Sequence, residues 1–551
     1  MKDQKHHATT ISRRRFLGYT AVTSGVLMLG GGLFGASINP ANAQENAYDY
    51  IICGAGSAGC VLADRLSAAG YSVLIIEAGG PDNSERISTP LRLIELWRTE
   101  YDWAYETAPQ KHAHNRKLFW PRGKVLGGSS SLNGMIYVRG DKSDYDGWSN
   151  LGNAGWDYDS VLPYFKKSED FDQGANEYHG AGGRLHVTST YEPHPVTAAI
   201  VEAAQQAGHP LNEDTNGQSQ MGVAFTDINT KNGERHSTAV AFLHPALERP
   251  NLTLITNARV HRADIKNGRA GGVVFRQAGE LKTVRANREV ILSGGALESP
   301  RILMLSGIGP SSHLKEHGIE VIKDLPGVGQ NLHDHNLLPL IYECAKEMPS
   351  ASESIPPLHA HAFMKSDASL PGPDMQPLFF NAPYYTPEQE PVTPNAFTLC
   401  AAGIRPTSRG ELLLTSADPE APLHIDPNVL ATDYDISTLV TSLRLNREIA
   451  NQPALAEWKG REIYPGEHVQ SDEELAEYAR SAVVSYHHQC STCKMGNDEM
   501  AVVDDQLSVH GIEGLRVIDA SVMPFVTSGN TNAPVIMIAE KGADMLIQAA
   551  G

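Results

Sequence analysis

The chain reads as a mixed α/β protein, and three observations say so. A strand–turn–helix–strand run lies between Tyr50 and Glu77, a second block of strand-like alternation lies between Asn251 and Ala296, and 551 residues exceed what one simple core absorbs. Hydrophobic residues at 41% and charged residues at 20% are globular proportions, so the chain buries cores and is not a polar tail. A net charge of −19, with no basic run beyond the first fifteen residues, argues against nucleic acid as a partner. Six cysteines are too few for a disulfide scaffold.

The first element is a leader. Lys2, Lys5 and Arg13 to Arg15 precede a glycine-interrupted apolar run from Phe16 to Ile38 and a small-x-small site, Ala41-Asn42-Ala43. Residues 1–43 therefore read as a secretory signal, and Ser12-Arg13-Arg14-Arg15-Phe16-Leu17 resembles a twin-arginine signal. An apolar run of about 20 residues can also anchor a chain in a bilayer, but the glycines and the cleavage site favour removal. The expectation is a periplasmic or secreted protein with no stable membrane span after signal removal. Proteins on that route cross already folded, so a tightly held cofactor is expected.

The second element is the run "YDYIICGAGSAGCVLADRLSAAGYSVLIIEAGG". Tyr50 to Cys53 is an apolar strand, Gly54-x-Gly56-x-x-Gly59 turns it into a helix reaching about Ala69, and Ser72 to Ile76 is the next strand. Gly54 and Gly56 allow a tight turn and close approach of the backbone, and Gly59 lets helix and strand touch. The helix start at Ser57 and Ala58 offers free N–H groups to a pyrophosphate, and Glu77, followed by Ala78, is placed to accept from a ribose. This is a Rossmann-like dinucleotide site. The fingerprint suits NAD or FAD alike. Its position at the start of the mature chain, the lack of a second such unit and the export signal favour FAD.

Further along, "RGKVLGGSSSLNGMIYVRG" (122–140) is a donor-rich Gly/Ser loop, and "NLTLITNARVHRADI" and "TVRANREVILSGGA" read as strands. "GALESPRILMLSGIG" (295–309) reads as a turn and helix. Proline-rich Met348 to Phe397 reads as loops and edge strands, whose aromatics (Phe363, Phe379, Phe380, Tyr384, Tyr385, Phe397) suit a pocket wall or ordinary core equally. "SYHHQCSTCKMG" (485–496) suits a metal site or a catalytic base. Side chains on an extended segment alternate, so His487 and His488 should not enter one cleft, which weakens the metal reading. Cys490 and Cys493 are expected as buried thiols, with a disulfide between them possible. Apolar positions from Val535 to Leu546 predict a helix, with Asn532 as its N-cap and Pro534 in its first turn.

The two segments at 122–140 and 295–309 resemble the signature segments of the glucose-methanol-choline (GMC) oxidoreductases. The resemblance continues through "LPGVGQNLHDH", "SRGELLLTSADP", "STCKMG" and "VIDASVMP", and so covers essentially the whole mature chain. It implies an FAD-binding domain built from residues 44–160, 222–330 and 484–551, interleaved with a substrate domain, 161–221 and 331–483, on an antiparallel sheet with helices. It implies FAD contacts at Gly127, Ser130, Asn133, Gly134, Val260, Asp519, Ala520, Asn532 and Ala533, beside those of the βαβ unit. Some members bond the flavin through a histidine where this chain has Leu132, so the FAD is expected to be non-covalent. Counting back four from Thr492 gives His488 as the base that takes a hydroxyl proton, with Asn532 as its partner and no catalytic metal. The implied reaction is oxidation of an alcohol CH–OH by hydride transfer to flavin N5. The implied acceptor is a quinone or cytochrome, with an O2-using oxidase as the rival. Lyases and photodecarboxylases share the fold and are the remoter alternatives.

Overall fold

The computed structural model describes residues 47–550, and the expected signal at 1–43 lies outside the described residues. Register in the first sheet decides where the site forms. Ala47–Cys53 pairs in parallel with Val73–Ile76 and with Glu280–Leu292, which pairs in parallel with Leu515–Val517. Cys53, Ile76, Leu292 and Val517 therefore end level with one another. The residues just past these ends, Gly54, Glu77 and Ser293, with Asp519 two residues past Val517, gather at the carboxyl ends of the strands. Those ends are where open parallel sheets bind ligands. Leu252–Ile255 extends the sheet on one side, and the antiparallel strands Arg269–Gln277 and Ala258–Lys266 extend it on the other. Tyr50 to Cys53 are buried throughout, as a strand covered on both faces must be.

The helix Ser57–Ala68 packs between this sheet and the C-terminal helix Asn532–Ala550. Gly59 permits that approach, since a Cβ there would stand 1.9 Å from the Gly54 carbonyl oxygen.

The second sheet is antiparallel, in the order Lys459–Tyr464, Asn336–Cys344, Ala396–Gly403, Leu378–Phe380, Ala360–Phe363 and Gly222–Phe225. The helix Asp433–Ala450 covers it and fixes itself by Ser442 Oγ, which accepts from the Ala402 N–H at 3.2 Å, and by Asn446, which donates to the Leu399 carbonyl at 3.2 Å. The chain is thus a mixed α/β fold with a dinucleotide-type sheet and a separate antiparallel sheet. Two expectations need revision. Residues 222–225 lie in the second sheet, so a boundary at 222 divides that sheet. The strands inside 348–397 are interior and not edge strands, because the prolines fall in the connections and leave Ala360–Phe363 and Leu378–Phe380 free to pair on both sides.

Candidate active site

Val484–Ser485 pairs with Asn336–Leu337 at the start of the second sheet's longest described strand. The Tyr486 N–H then donates to the His335 carbonyl at 3.0 Å, and the Cys490 N–H to the His333 carbonyl at 3.2 Å. These ladder bonds carry His488 to one continuous cavity that runs along the carboxyl ends of the first sheet's strands. Asp334 fixes its backbone, accepting from the His488 N–H at 2.7 Å, from Gln489 Nε2 at 2.9 Å and from the Ser485 hydroxyl.

The imidazole of His488 is held on three sides. Its Nδ1 lies 2.9 Å from His335 Nδ1, Tyr486 stacks on it at 4.6 Å, and its Nε2 lies 3.2 Å from the Asn530 side-chain amide. Asn530 Oδ1 accepts from Gln376 Nε2 at 3.0 Å, which turns the Asn530 N–H toward His488 Nε2. Nε2 is then the lone-pair nitrogen, and the His488 proton sits on Nδ1, donated to His335. Burial, with the neighbouring His335 and His487 rings and the Arg122 guanidinium adding to it, pushes His488 well below the usual histidine range, and burial brings His335 down to about 3. His488 is thus a neutral imidazole with its basic nitrogen facing an amide donor.

Both His487 and His488 line the cavity, contrary to the alternation expected of an extended segment. The cause is a left-handed backbone at His487 (φ 69°), which returns the next side chain to the same side. His487 meets Trp97 edge-on at 5.4 Å, and its carbonyl accepts from Arg122 Nη2 at 2.8 Å. All six cysteines are buried free thiols, Cys490 and Cys493 among them. Among the described residues no group of three His, Cys, Asp or Glu could hold a metal ion.

Of the residues expected to bind a cofactor, Gly54, Gly56, Ser57, Ala58, Glu77, Ala78, Asn133, Gly134, Val260, Asp519, Ala520 and Asn532 line the cavity. Four expected residues form no part of its wall. Gly59 is a helix–strand contact and Ala533 is buried behind Asn532. Ser130 turns inward to the Gly127 carbonyl (2.6 Å) and Thr238 (2.8 Å), and Gly127 holds a positive φ of 83° where a Cβ would strike Ser131. They shape the loop behind the wall. Asn532 is the first residue of its helix and not its cap. Its Oδ1 accepts from Ser57 Oγ at 2.8 Å, on the cofactor side, so Asn530 and not Asn532 is the amide beside His488.

The walls fit FAD. The helix at Ser57 has no side-chain cap, leaving its first N–H groups for a pyrophosphate. Ser293 Oγ is buried on the wall with no partner, and a Cβ on Gly295 would meet nothing within 4 Å. Glu77 accepts from Ala55 N and Gly79 N, both at 2.8 Å, yet burial still raises it to about 7. Two further donors from a ribose would stabilise its ionised form. Leu132, on the wall, offers no nucleophile.

Fold and site together define a flavin-dependent oxidoreductase. Residues 48–337 and 406–539 match the two regions described as GMC oxidoreductase, and the chain belongs to that family, whose members act on CH–OH donors with FAD. It is 42% identical over 535 residues to the mitochondrial choline dehydrogenase of Homo sapiens, covering 91% of this chain and 90% of that one. Among solved structures, pyridoxine 4-oxidase from Mesorbium loti is 34% identical with a TM-score of 0.87, covering 90% of this chain and 98% of its own. A structure concerning FAD modification in the formate oxidase of Aspergillus oryzae RIB40 is 29% identical with a TM-score of 0.85, covering 92% and 98%.

Proposed function

We propose that His488 is the base of an alcohol oxidation and that Asn530 holds the alcohol oxygen. One observation supports this above the rest: a lone-pair nitrogen and an amide donor stand 3.2 Å apart in one cavity wall. A hydroxyl has one proton to give and lone pairs to accept with, so it complements both groups. His488 Nε2 takes the hydroxyl proton, and burial keeps the ring unprotonated before substrate arrives, as a base must be. Asn530 donates to the oxygen and favours the developing alkoxide, the better hydride donor. His335 orients the imidazole by accepting from Nδ1. Bound FAD supplies the hydride acceptor at N5. Glu77, Asn133, Gly134, Val260, Asp519, Ala520 and Asn532 would hold it non-covalently.

The electrons are proposed to pass to a quinone or cytochrome outside the cytoplasm, on the strength of the twin-arginine-like leader. No helix among the described residues is long and apolar enough to cross a membrane. The two structural neighbours are oxidases by name, which keeps dioxygen as the rival acceptor. Choline, from the human relative's name, is one candidate alcohol. Anaerobic mixing with an alcohol should bleach the flavin, and reoxidation by a quinone should outpace reoxidation by air. His488→Ala should keep its yellow cofactor and lose about 10² to 10⁴ in turnover. Turnover within tenfold of wild type would remove His488 from the mechanism.

A further inference from the structure

We infer that this site takes an uncharged alcohol with an apolar body and not an alcohol bearing a quaternary ammonium. The inference rests on the alcohol-oxidising reading above. A permanent cation cannot shed its charge on burial as a lysine or histidine does, so it needs a facing carboxylate or a cage of aromatic faces. Three carboxylates line the cavity, and each is engaged on the cofactor side. Glu77 accepts from Ala55 N and Gly79 N at the strand edge. Glu298 pairs with Arg301 at 3.0 Å and accepts from the Tyr105 hydroxyl at 2.6 Å, and its neighbour Arg259 follows Ala258, which is bonded to the Glu77 carbonyl. Asp519 accepts from Gly295 N and from the Ser299 and Ser521 hydroxyls. Asp334, which accepts from the His488 N–H at 2.7 Å, serves the backbone of that loop and forms no part of the wall.

At the His488 end, the charged wall residue bonded to the His487–His488 turn is a cation. Arg122 lines the cavity with its guanidinium bonded to the His487 carbonyl. The rest of that end belongs to one apolar cluster, which includes Leu93, Leu358, Leu378, Phe380 and Tyr486, with Tyr384 packed against it. Its aromatic rings are spent on one another: Phe380 and Tyr384 stack at 5.2 Å and 18°, and Tyr486 stacks on His488 at 4.6 Å and 29°. Trp97, packed against the same cluster, meets His487 edge-on at 5.4 Å and Phe119 edge-on at 6.1 Å, and the aliphatic side chains beside these rings offer a cation nothing. At the mouth stands Ile94, which lines the cavity while 61% exposed, an apolar threshold and not a charged one.

Choline and 3,3-dimethylbutan-1-ol have the same shape and differ in one atom, nitrogen against carbon, and hence in charge alone. On the FAD-loaded full-length enzyme the neutral isostere should show a kcat/KM about tenfold or more above that of choline. Choline equal to or better than its isostere would overturn the inference while leaving the oxidation chemistry intact. Should neither alcohol bleach the flavin anaerobically, neither is its substrate, the oxidation reading is then tested with other alcohols, and the two ligands are still ranked by the shift they cause in the flavin spectrum. Tighter binding of the isostere then supports an uncharged ligand, and tighter binding of choline, or no shift with the isostere, refutes it.

Discussion

Asn530 and Asn532 stand two positions apart and divide into different tasks, because the turn before the last helix points one at His488 and the other at Ser57. Asn530→Ala removes the donor to the alcohol oxygen and should lower kcat by about 10²-fold with flavin content unchanged. Asn532→Ala removes a bond on the cofactor side and should raise the dissociation constant for FAD while leaving the kcat of the loaded enzyme near wild type. Visible absorbance of the purified variants, read beside their turnover, separates the two, and the opposite pattern would reverse the assignment. The sequence offers both residues in "GNTNAP"; the family resemblance implies Asn532 as the partner of His488, and a helix start beside proline reads the same residue as a cap. A shift of two residues lies within the error of any periodicity argument, and only tertiary contact separates the pair. His335 is harder still to find. It sits in the legible string "LPGVGQNLHDH", but its partner His488 is 153 residues away.

The βαβ unit is readable almost residue for residue, because local rules dictate it: apolar strand, glycines at fixed spacing, helix, strand, acid. Ala47–Cys53, Ser57–Ala68 and Val73–Ile76 follow that pattern to within a few residues. The strands of 360–380 escape their proper place in the sheet for a related reason. Proline content reports on the loops that carry it and not on the short strands between. Two glycines of the unit make different predictions. A Cβ on Gly59 would stand 1.9 Å from a backbone oxygen, so Gly59→Ala should destabilise the protein itself by about 1–3 kcal/mol, seen as a lower melting temperature with or without FAD. A Cβ on Gly56 finds its nearest atom 3.9 Å away, at Gly128 Cα, and the backbone there is extended, which alanine tolerates. Gly56 lines the cavity, however. Gly56→Ala should therefore leave the melting of cofactor-stripped protein unchanged and weaken FAD binding, as titration of the stripped protein with FAD would show.

At the scale of the whole molecule, a buried ionic network joins chain segments that no sequence motif connects. Arg139 Nη2 meets Glu169 at 2.7 Å, and His179, fully buried, lies between Glu169 (3.1 Å) and Asp214 (3.1 Å). Asn216 ties the Arg139 backbone to Asp227. Burial opposes a charge on His179, but hydrogen bonds to Asp214 and Glu169 outweigh it and hold the ring up at about 9. Removing one member of such a network leaves buried charge uncompensated, at a cost of about 3–5 kcal/mol. An unfolded histidine titrates near 6.5, so the stability contributed by protonated His179 is fully present below about pH 6.5 and disappears as pH rises through about 9. Asp227, raised to about 7 by burial, makes stability fall with pH too, but that decline is complete by about pH 8. Buried thiols such as Cys53 and Cys490, pushed up to about 12, add a decline of the same sign once unfolded cysteines ionise above about 8.5. The readout is therefore a difference. His179→Gln should be less stable than wild type at pH 7, and the gap between the two should close between pH 8 and pH 10 as wild type loses its charged ring. Parallel melting curves at both ends of that window, with the gap undiminished, would show that His179 is neutral in the folded protein and that packing alone holds the network together.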